Sequence, residues 1–259
     1  MLWAIDVGNT ETVLGAWDGD WRHVWRVSTR AGRSADEWVA ILHARAAAQG
    51  ERLGSASAVV VCSVVPESDR VWGEATAILG MPVPLFLRTG EQVGIEVAYS
   101  PPTGVGSDRI ANALHAKERG QLPCIVVDIG TATTLDALDT DGRYVGGAIL
   151  PGPQLMMGAL ATKTAQLSAA SLEMPENAIG RDTRAALRSG VVIGHAGAVD
   201  RLVAEFKAEL GGAHVVSTGG LSAPILAACR EPMEWCPNWT LDGLRRAEPY
   251  LRRPPSQGG

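Results

Sequence analysis

Two short segments with the same order of residue types could bind phosphate groups. The first is Asp6-Val7-Gly8-Asn9-Thr10, and the second, in the other half of the chain, is Asp128-Ile129-Gly130-Thr131-Ala132-Thr133. In each, an aspartate stands two residues before a glycine, whose small size leaves backbone N–H groups open to phosphate oxygens. The aspartate can hold a divalent cation against the same phosphates. Two such loops predict a site for the phosphate tail of a nucleotide.

A third segment joins a Pro/Gly-rich loop to a helix predicted over 107–119. Ser107 is predicted to cap this helix, which leaves Asp108 in the first turn, where the helix dipole favours an ionised carboxylate. That position is common for structural reasons alone. In a kinase the same carboxylate could accept the proton of a substrate hydroxyl, and Arg109 could bind a substrate carboxylate through paired hydrogen bonds. From the residues alone, both interpretations stay open.

The elements that would position these residues also occur twice. Each glycine segment lies between apolar runs, and an Asp-Gly turn then leads to a third run, over residues 2–27 and 124–150. Short apolar runs bounded by Gly and Asp predict hairpins of strands. Helical and strand-like segments alternate after each set, which implies parallel strand pairing. We therefore expect an α/β fold with two duplicated units that face each other across a cleft.

The rest of the chain predicts further elements and two domains. After the first hairpins we expect a helix at 35–48 and strands at 58–65 and 83–87. After the second we expect helices at about 153–168 and 182–210 and a strand at 214–220. The predicted domains are 1–118 and 119–250, followed by a mobile tail at 251–259.

Composition excludes several classes of function. The chain has 259 residues, of which 46% are hydrophobic and 20% charged, with a net charge of −5. This weak acidity argues against binding to nucleic acid or a membrane surface, and no apolar run reaches the roughly 18 residues of a membrane span. There is no P-loop motif, no signal-peptide pattern at the start, and no cysteine spacing typical of zinc. We expect a cytoplasmic protein.

On these motifs the sequence resembles the type III pantothenate kinases, of the acetate and sugar kinase/Hsp70/actin superfamily. The resemblance covers roughly residues 1–245, and the motifs stand in the family's order. They are Asp6–Thr10, Gly106–Arg109 with Asn112, Asp128–Thr133, Gly146–Gly152, the Thr183 region and Ser217–Gly220. The Gly-x-Asp-Arg and Gly-Gly-x-Ile-x-Pro-Gly elements are specific, whereas Asp-x-Gly-x-Thr indicates only the superfamily. The resemblance implies two ribonuclease-H-like (actin-like ATPase) domains and ATP-dependent phosphorylation of pantothenate, the first step of coenzyme A synthesis.

The resemblance also implies roles for individual residues. Asp108 would be the general base on the primary hydroxyl of pantothenate. Asp6 would lie near Mg²⁺, and Asp128 would bind a monovalent cation, K⁺ or NH₄⁺. The implied ATP-binding residues are Asp6, Val7, Gly8, Asn9, Thr10, Glu11, Thr12, Val13 and Thr131. The implied pantothenate-binding residues are Tyr99, Gly106, Ser107, Asp108, Arg109 and Thr183. The family forms homodimers, and Thr183 would act at a pocket closed by the neighbouring subunit.

Three departures and two alternatives accompany this hypothesis. Glu11 stands where a small or amide residue is usual and adds negative charge near ATP. Ser107 replaces the more usual alanine, and Asn238 replaces the more usual aspartate in the closing element 238–244. One alternative is another kinase or phosphohydrolase of the superfamily, acting on a sugar, a small acid or polyphosphate. The other is a non-catalytic regulatory relative, against which the presence of Asp6, Asp108 and Asp128 argues.

Overall fold

The first half of the chain folds around a mixed five-stranded sheet. The computed structural model describes residues 1–50, 53, 56–163 and 172–253, with the backbone only at 161–163. The strands are β1 Leu2–Val7, β2 Glu11–Trp17, β3 Trp21–Ser28, β4 Ala58–Ser63 and β5 Leu85–Leu87. Their order is β3-β2-β1-β4-β5, antiparallel between β1, β2 and β3 and parallel between β1, β4 and β5. The helices are α1 Ala35–Ala48, α2 Ser68–Ile78 and α3 Ser107–Arg119.

The second half repeats this architecture. Its strands are β6 Cys124–Ile129, β7 Ala132–Leu138, β8 Tyr144–Pro151, β9 His214–Thr218 and β10 Glu234–Trp235. Their order is β10-β9-β6-β7-β8, with β6, β7 and β8 antiparallel and β6, β9 and β10 parallel. The helices are α4 Pro153–Lys163, α5 Thr183–Leu210, α6 Ser222–Leu226 and α7 Trp239–Leu251.

The two sheets correspond strand by strand. When the five strands of each sheet are counted in chain order, both sheets have the spatial order third, second, first, fourth, fifth. The register also shifts at the same place in both, between Ala16 and Trp17 in β2 and between Ala137 and Leu138 in β7. The α/β fold with duplicated domains is therefore confirmed, while the facing of the two domains across a cleft stays a prediction.

One interior strand of each sheet is buried on both faces. In β4, Ala58 through Cys62 are fully buried, and in β6 the same holds for Cys124 through Val127. Continuous apolar runs of this kind are typical of parallel strands with helices on both sides. One core packs Trp38 and Trp72 of α1 and α2 against the first sheet, and another packs α5 against the second.

Helix α7 belongs with the first unit, whereas the sequence prediction placed it in the second domain. Contacts divide the chain into Ala116–Trp239 and a unit that combines Met1–His115 with the segment from Thr240. A Cβ added to Gly243 would lie 2.0 Å from the Ala111 carbonyl oxygen, so this glycine lets α7 pack directly on α3. The Trp21 indole also donates to the Asp242 carboxylate at 3.1 Å.

Some predicted boundaries differ from the structure or lie outside it. Strand β4 ends at Ser63 rather than at 65, because β1 ends at Val7 opposite Ser63 and the Val65 N–H donates to the Ser63 hydroxyl at 3.0 Å. The predicted helix at 164–168 and the tail at 254–259 lie outside the described residues. In the part of the chain that the structure describes, no helix is long and apolar enough to cross a membrane.

Candidate active site

Asp6 lies at the carboxyl end of β1, beside Cys62 of the neighbouring parallel strand β4. The Cys62 thiol donates to Asp6 Oδ1 at 3.3 Å. Burial raises the pKa of Cys62 well above its usual value, and the negative charges of Asp6 and Asp108 raise it further. The thiol is thus protonated and a donor, and both carboxylates lie within electrostatic range of it.

The loop after Asp6 is a tight turn held on the far side by the end of β3. The Gly8 N–H donates to the Glu11 carbonyl at 3.0 Å, and a Cβ on Gly8 would lie 2.9 Å from that oxygen. The Thr29 N–H donates to the Thr10 carbonyl at 2.8 Å, and the hydroxyls of Thr29 and Thr12 are 2.7 Å apart. Asn9 and Thr10 at the tip are exposed. The turn can therefore present its polar groups to a ligand.

Asp108 lies in the first turn of α3, and its neighbours determine the position and the pKa of its carboxylate. Its Oδ1 accepts from the Arg109 N–H at 2.8 Å. Removal from water raises the pKa of Asp108, and the Arg109 N–H and guanidinium charge partly oppose this rise. A Cβ on Gly106 would lie 2.5 Å from Asp108 Oδ1, so a side chain at this position would displace the carboxylate. A carboxylate with a raised pKa in a partly buried position is suited to accept a proton.

Ser107 anchors the start of α3 to the end of β4. The sequence predicts Ser107 as the helix cap, whereas in the structure it is the first helical residue. Its hydroxyl accepts from the Ser63 N–H at 3.1 Å and donates to the Ser63 carbonyl at 3.0 Å. Because Ser63 follows Cys62 directly, this pair places Asp108 near the end of the strand that contacts Asp6.

A cavity of about 620 Å³ opens beside this loop, within the first unit. Its volume lies in the range of about 300–1,000 Å³ typical of small-molecule sites. Among the residues that line it are Ser63, Val65, Glu67, Arg70, Arg88, Thr103, Gly106 and Ser107. The Tyr99 ring lies over Gly104, since a Cβ there would be 3.5 Å from Tyr99 Cε1. The predicted acceptor-binding residues of this unit therefore lie in the loop before α3 and in the first turn of that helix.

In the second unit, Asp128 occupies the place of Asp6 in the duplicated strand. It is paired with Thr218 of β9, and the chain continues into Gly219. Gly219 has φ +98°, and a Cβ there would lie 2.5 Å from both Asp128 Oδ1 and the Ile129 carbonyl oxygen. The Asp128 carboxylate and this carbonyl oxygen therefore lie close together, and oxygen atoms are the ligands that hard cations use.

Thr131 lies at the tip of the second turn, which Gly152 supports from below. The Gly130 N–H donates to the Ala132 carbonyl at 3.0 Å, and the Gly152 N–H donates to the Thr131 carbonyl at 2.9 Å. A Cβ on Gly152 would lie 2.1 Å from the Gly130 oxygen. The Thr131 side chain is exposed and available to a ligand.

Thr183 begins α5, whose amino end is held by local contacts. Asp182 caps the helix, its Oδ1 accepting from the Ala185 N–H at 2.8 Å. Gly180 packs on the backbone of Ala186, where an added Cβ would be 2.1 Å from the nitrogen. Thr183 itself is exposed.

The site residues fit a divalent ion bound mainly through a nucleotide. Among the described residues, no group of three or more His, Cys, Asp and Glu side chains could hold a metal. Mg²⁺ commonly uses one or two carboxylates together with substrate phosphates and water. The carboxylate of Asp6, held in place by Cys62, matches that requirement.

Within the first unit the structure brings together the phosphate-type loop and Asp108, while Asp128, Thr131 and Thr183 lie in the second unit. The sequence did not identify Cys62 and Ser63 as supporting residues, because their role depends on the pairing of β4 with β1. It also missed the buried contact of 2.9 Å between Thr133 Oγ1 and His195 Nε2, below the second turn. Burial lowers the pKa of His195, so this histidine is neutral.

Comparisons with known proteins identify the relatives of this chain. Residues 2–205 match the family model for type III pantothenate kinase. A type III pantothenate kinase of Rubrobacter xylanophilus is 43% identical over 95% of this chain and 96% of its own. Two solved structures share the fold at low identity. A Campylobacter jejuni protein, provisionally named a Baf family transcriptional activator, gives TM-score 0.62 at 16% identity, covering 95% and 96% of the two chains. A Sinorhizobium meliloti protein, provisionally named a 2-dehydro-3-deoxygalactonokinase, gives a TM-score of 0.57 at 14% identity, and the match covers 100% of this chain and 98% of the other.

Proposed function

The chain belongs to the type III pantothenate kinase family, and from this premise we propose that Asp108 is the general base of the reaction. The enzyme transfers the γ-phosphoryl group of ATP to pantothenate in coenzyme A synthesis, with a divalent metal ion accompanying ATP. Asp108 takes the proton of the primary hydroxyl, the oxygen forms the new P–O bond, and ADP leaves. The observation that carries this role is the raised pKa of a partly buried carboxylate beside Gly106 and Arg109.

We assign acceptor binding to the loop around Asp108. Ser107 fixes the start of α3 to Ser63, so Asp108 has a defined position relative to the adjoining cavity. Arg109 is 7% exposed, and its guanidinium can form two parallel hydrogen bonds with the pantothenate carboxylate. Tyr99, Gly106 and Ser107 complete this surface in the first unit.

We assign ATP binding to residues 6–13 and to Thr131. The backbone N–H groups of Asn9 and Thr10, at the exposed tip of the turn, would stabilise negative charge on the transferring phosphoryl group, usually the larger contribution in such reactions. Asp6, with its oxygen oriented by the Cys62 thiol, would hold Mg²⁺ or its bound water. The metal supplies neutralisation of phosphate charge when it is bound.

We assign a monovalent cation, K⁺ or NH₄⁺, to Asp128. The assignment is supported by Asp128 Oδ1 and the Ile129 carbonyl oxygen, which both lie 2.5 Å from the position of a Cβ on Gly219, so that two oxygen atoms are close together there. The cation would offset the repulsion between Asp128 and the phosphates of ATP.

Phosphate transfer to a panel of alcohols tests the activity and the cation together. Purified protein with MgATP in potassium buffer is expected to phosphorylate pantothenate, and not sugars or small hydroxy acids. Turnover in potassium or ammonium should exceed turnover in sodium at equal ionic strength, and Asp128→Asn should remove that difference. Transfer to another acceptor would contradict the substrate, and equal rates in sodium and potassium would contradict only the cation site.

We propose that the enzyme is a homodimer and that Thr183 acts at the acceptor pocket of the neighbouring subunit. Edge strand β8 and helix α4 support this, since Val145, Ile149 and Leu155 are exposed apolar side chains, with Ile149 63% exposed. Light scattering of the native protein is expected to give twice the chain mass, and Ile149→Asp a single chain mass. Val83→Asp, in the first unit and 85% exposed, is the matched control that should remain dimeric. A monomeric native protein would refute this.

We also place the reaction in the cytoplasm, because its phosphoryl donor is ATP. Activity found mainly in a membrane or periplasmic fraction would contradict that location.

A further inference from the structure

The phosphate loop of the first unit is supported by one short segment at the end of β3. Thr10 and Thr12 are bound by Thr29, through its N–H and hydroxyl. Between them, Glu11 Oε2 accepts from Arg26 Nη1 at 2.8 Å. The register explains the ion pair, because Glu11 lies opposite Ser28, and Arg26 is two residues along the same face of β3. Thr10, Glu11 and Thr12 therefore each form a hydrogen bond with a residue in the segment 26–29.

The ion pair contributes little to stability, which points to another role. The Arg26 and Glu11 side chains are 35% and 43% exposed. Exposed ion pairs of this kind stabilise proteins only slightly. Glu11, however, places a carboxylate in the loop that the proposed function assigns to ATP, where an unopposed negative charge would repel the phosphates.

We propose that Arg26 is a positioning residue for ATP, which acts by neutralising and orienting Glu11 and not by contacting the phosphates. The inference rests on the proposed ATP site and explains how a loop with an acidic residue binds a polyanion. It also predicts that Glu11 and Arg26 are coupled: removal of the Arg26 charge alone weakens nucleotide binding, removal of the Glu11 charge alone does not, and removal of both restores the native affinity.

Calorimetric titration with MgATP, with no acceptor present, tests this coupling. Arg26→Gln is expected to weaken binding about threefold or more at low salt, as expected for one uncompensated charge near the phosphates. Glu11→Gln should bind MgATP at least as tightly as the native protein. The double variant should lie within about twofold of the native protein. The Arg26→Gln effect should shrink in high salt, because exposed charges are screened.

A matched control lies further along the same hairpin. Arg22 forms an exposed pair with Asp18 at 3.1 Å, away from the loop, so Arg22→Gln should leave MgATP binding unchanged. Equal affinities for Arg26→Gln and Arg22→Gln would overturn the inference, as would a double variant as weak as Arg26→Gln. A native protein that fails to bind MgATP would instead refute the proposed function itself.

Discussion

Replacing Asp108 by asparagine is expected to lower kcat for phosphate transfer to pantothenate by about 10²- to 10⁴-fold, the usual contribution of a positioned general base. Asparagine keeps the size of the side chain and can still accept from the Arg109 N–H, but it cannot take up the hydroxyl proton. MgATP affinity should change little, because the role proposed for Asp108 concerns the acceptor and not the nucleotide. The measurement is steady-state kinetics combined with nucleotide titration.

The matched control separates this role from a helix-dipole role. Asp36 also lies in the first turn of a helix of the same unit, and Asp36→Asn should retain native turnover. The pH profile adds a second readout. Since burial raises the pKa of Asp108, kcat/KM should fall as the pH drops through that raised value, as the carboxylate becomes protonated. Near-native turnover by Asp108→Asn would exclude Asp108 as the base.

Gly219→Ala is expected to destabilise the second unit more than the same substitution at a positive-φ glycine that has no close neighbour. Its φ of +98° makes a side chain strained, and the new Cβ would overlap Asp128 Oδ1 and the Ile129 backbone at 2.5–2.6 Å. Strain of this kind costs about 1–2 kcal/mol, and overpacking adds about 1–3 kcal/mol. Urea unfolding should report the loss, and the proposed activation by potassium should weaken because the new Cβ displaces Asp128.

Gly212 provides a control with the same backbone requirement and no close neighbour. Its φ is +106°, and an added Cβ would meet nothing within 4 Å. Gly212→Ala should therefore show only the conformational cost and leave potassium activation intact. Equal unfolding free energies for the two variants would show that the close approach to Asp128 is not important.

The site residues differ in how far sequence could predict their roles. The sequence could single out Asp6, Asp108 and Asp128 because each stands two residues from a glycine at the end of a strand or the start of a helix, and such signals are local. Ser107 was identified, but its partner was not: a hydroxyl before a helix predicts a cap, whereas Ser63 of β4 binds it. The sequence showed that Glu11 departs from the residue usual in the family, but it did not show that Arg26 pairs with Glu11.

The sequence by itself determined the duplicated hairpins, the α/β alternation and the acidic glycine turns, because strand periodicity and turn chemistry act over a few residues. Only the tertiary structure decided which strands pair. It placed Cys62 beside Asp6, set Gly219 against Asp128 and packed α7 on the first unit through Gly243. Those contacts join residues far apart in the chain, and they depend on strand register and on burial of the whole core, which no short segment specifies.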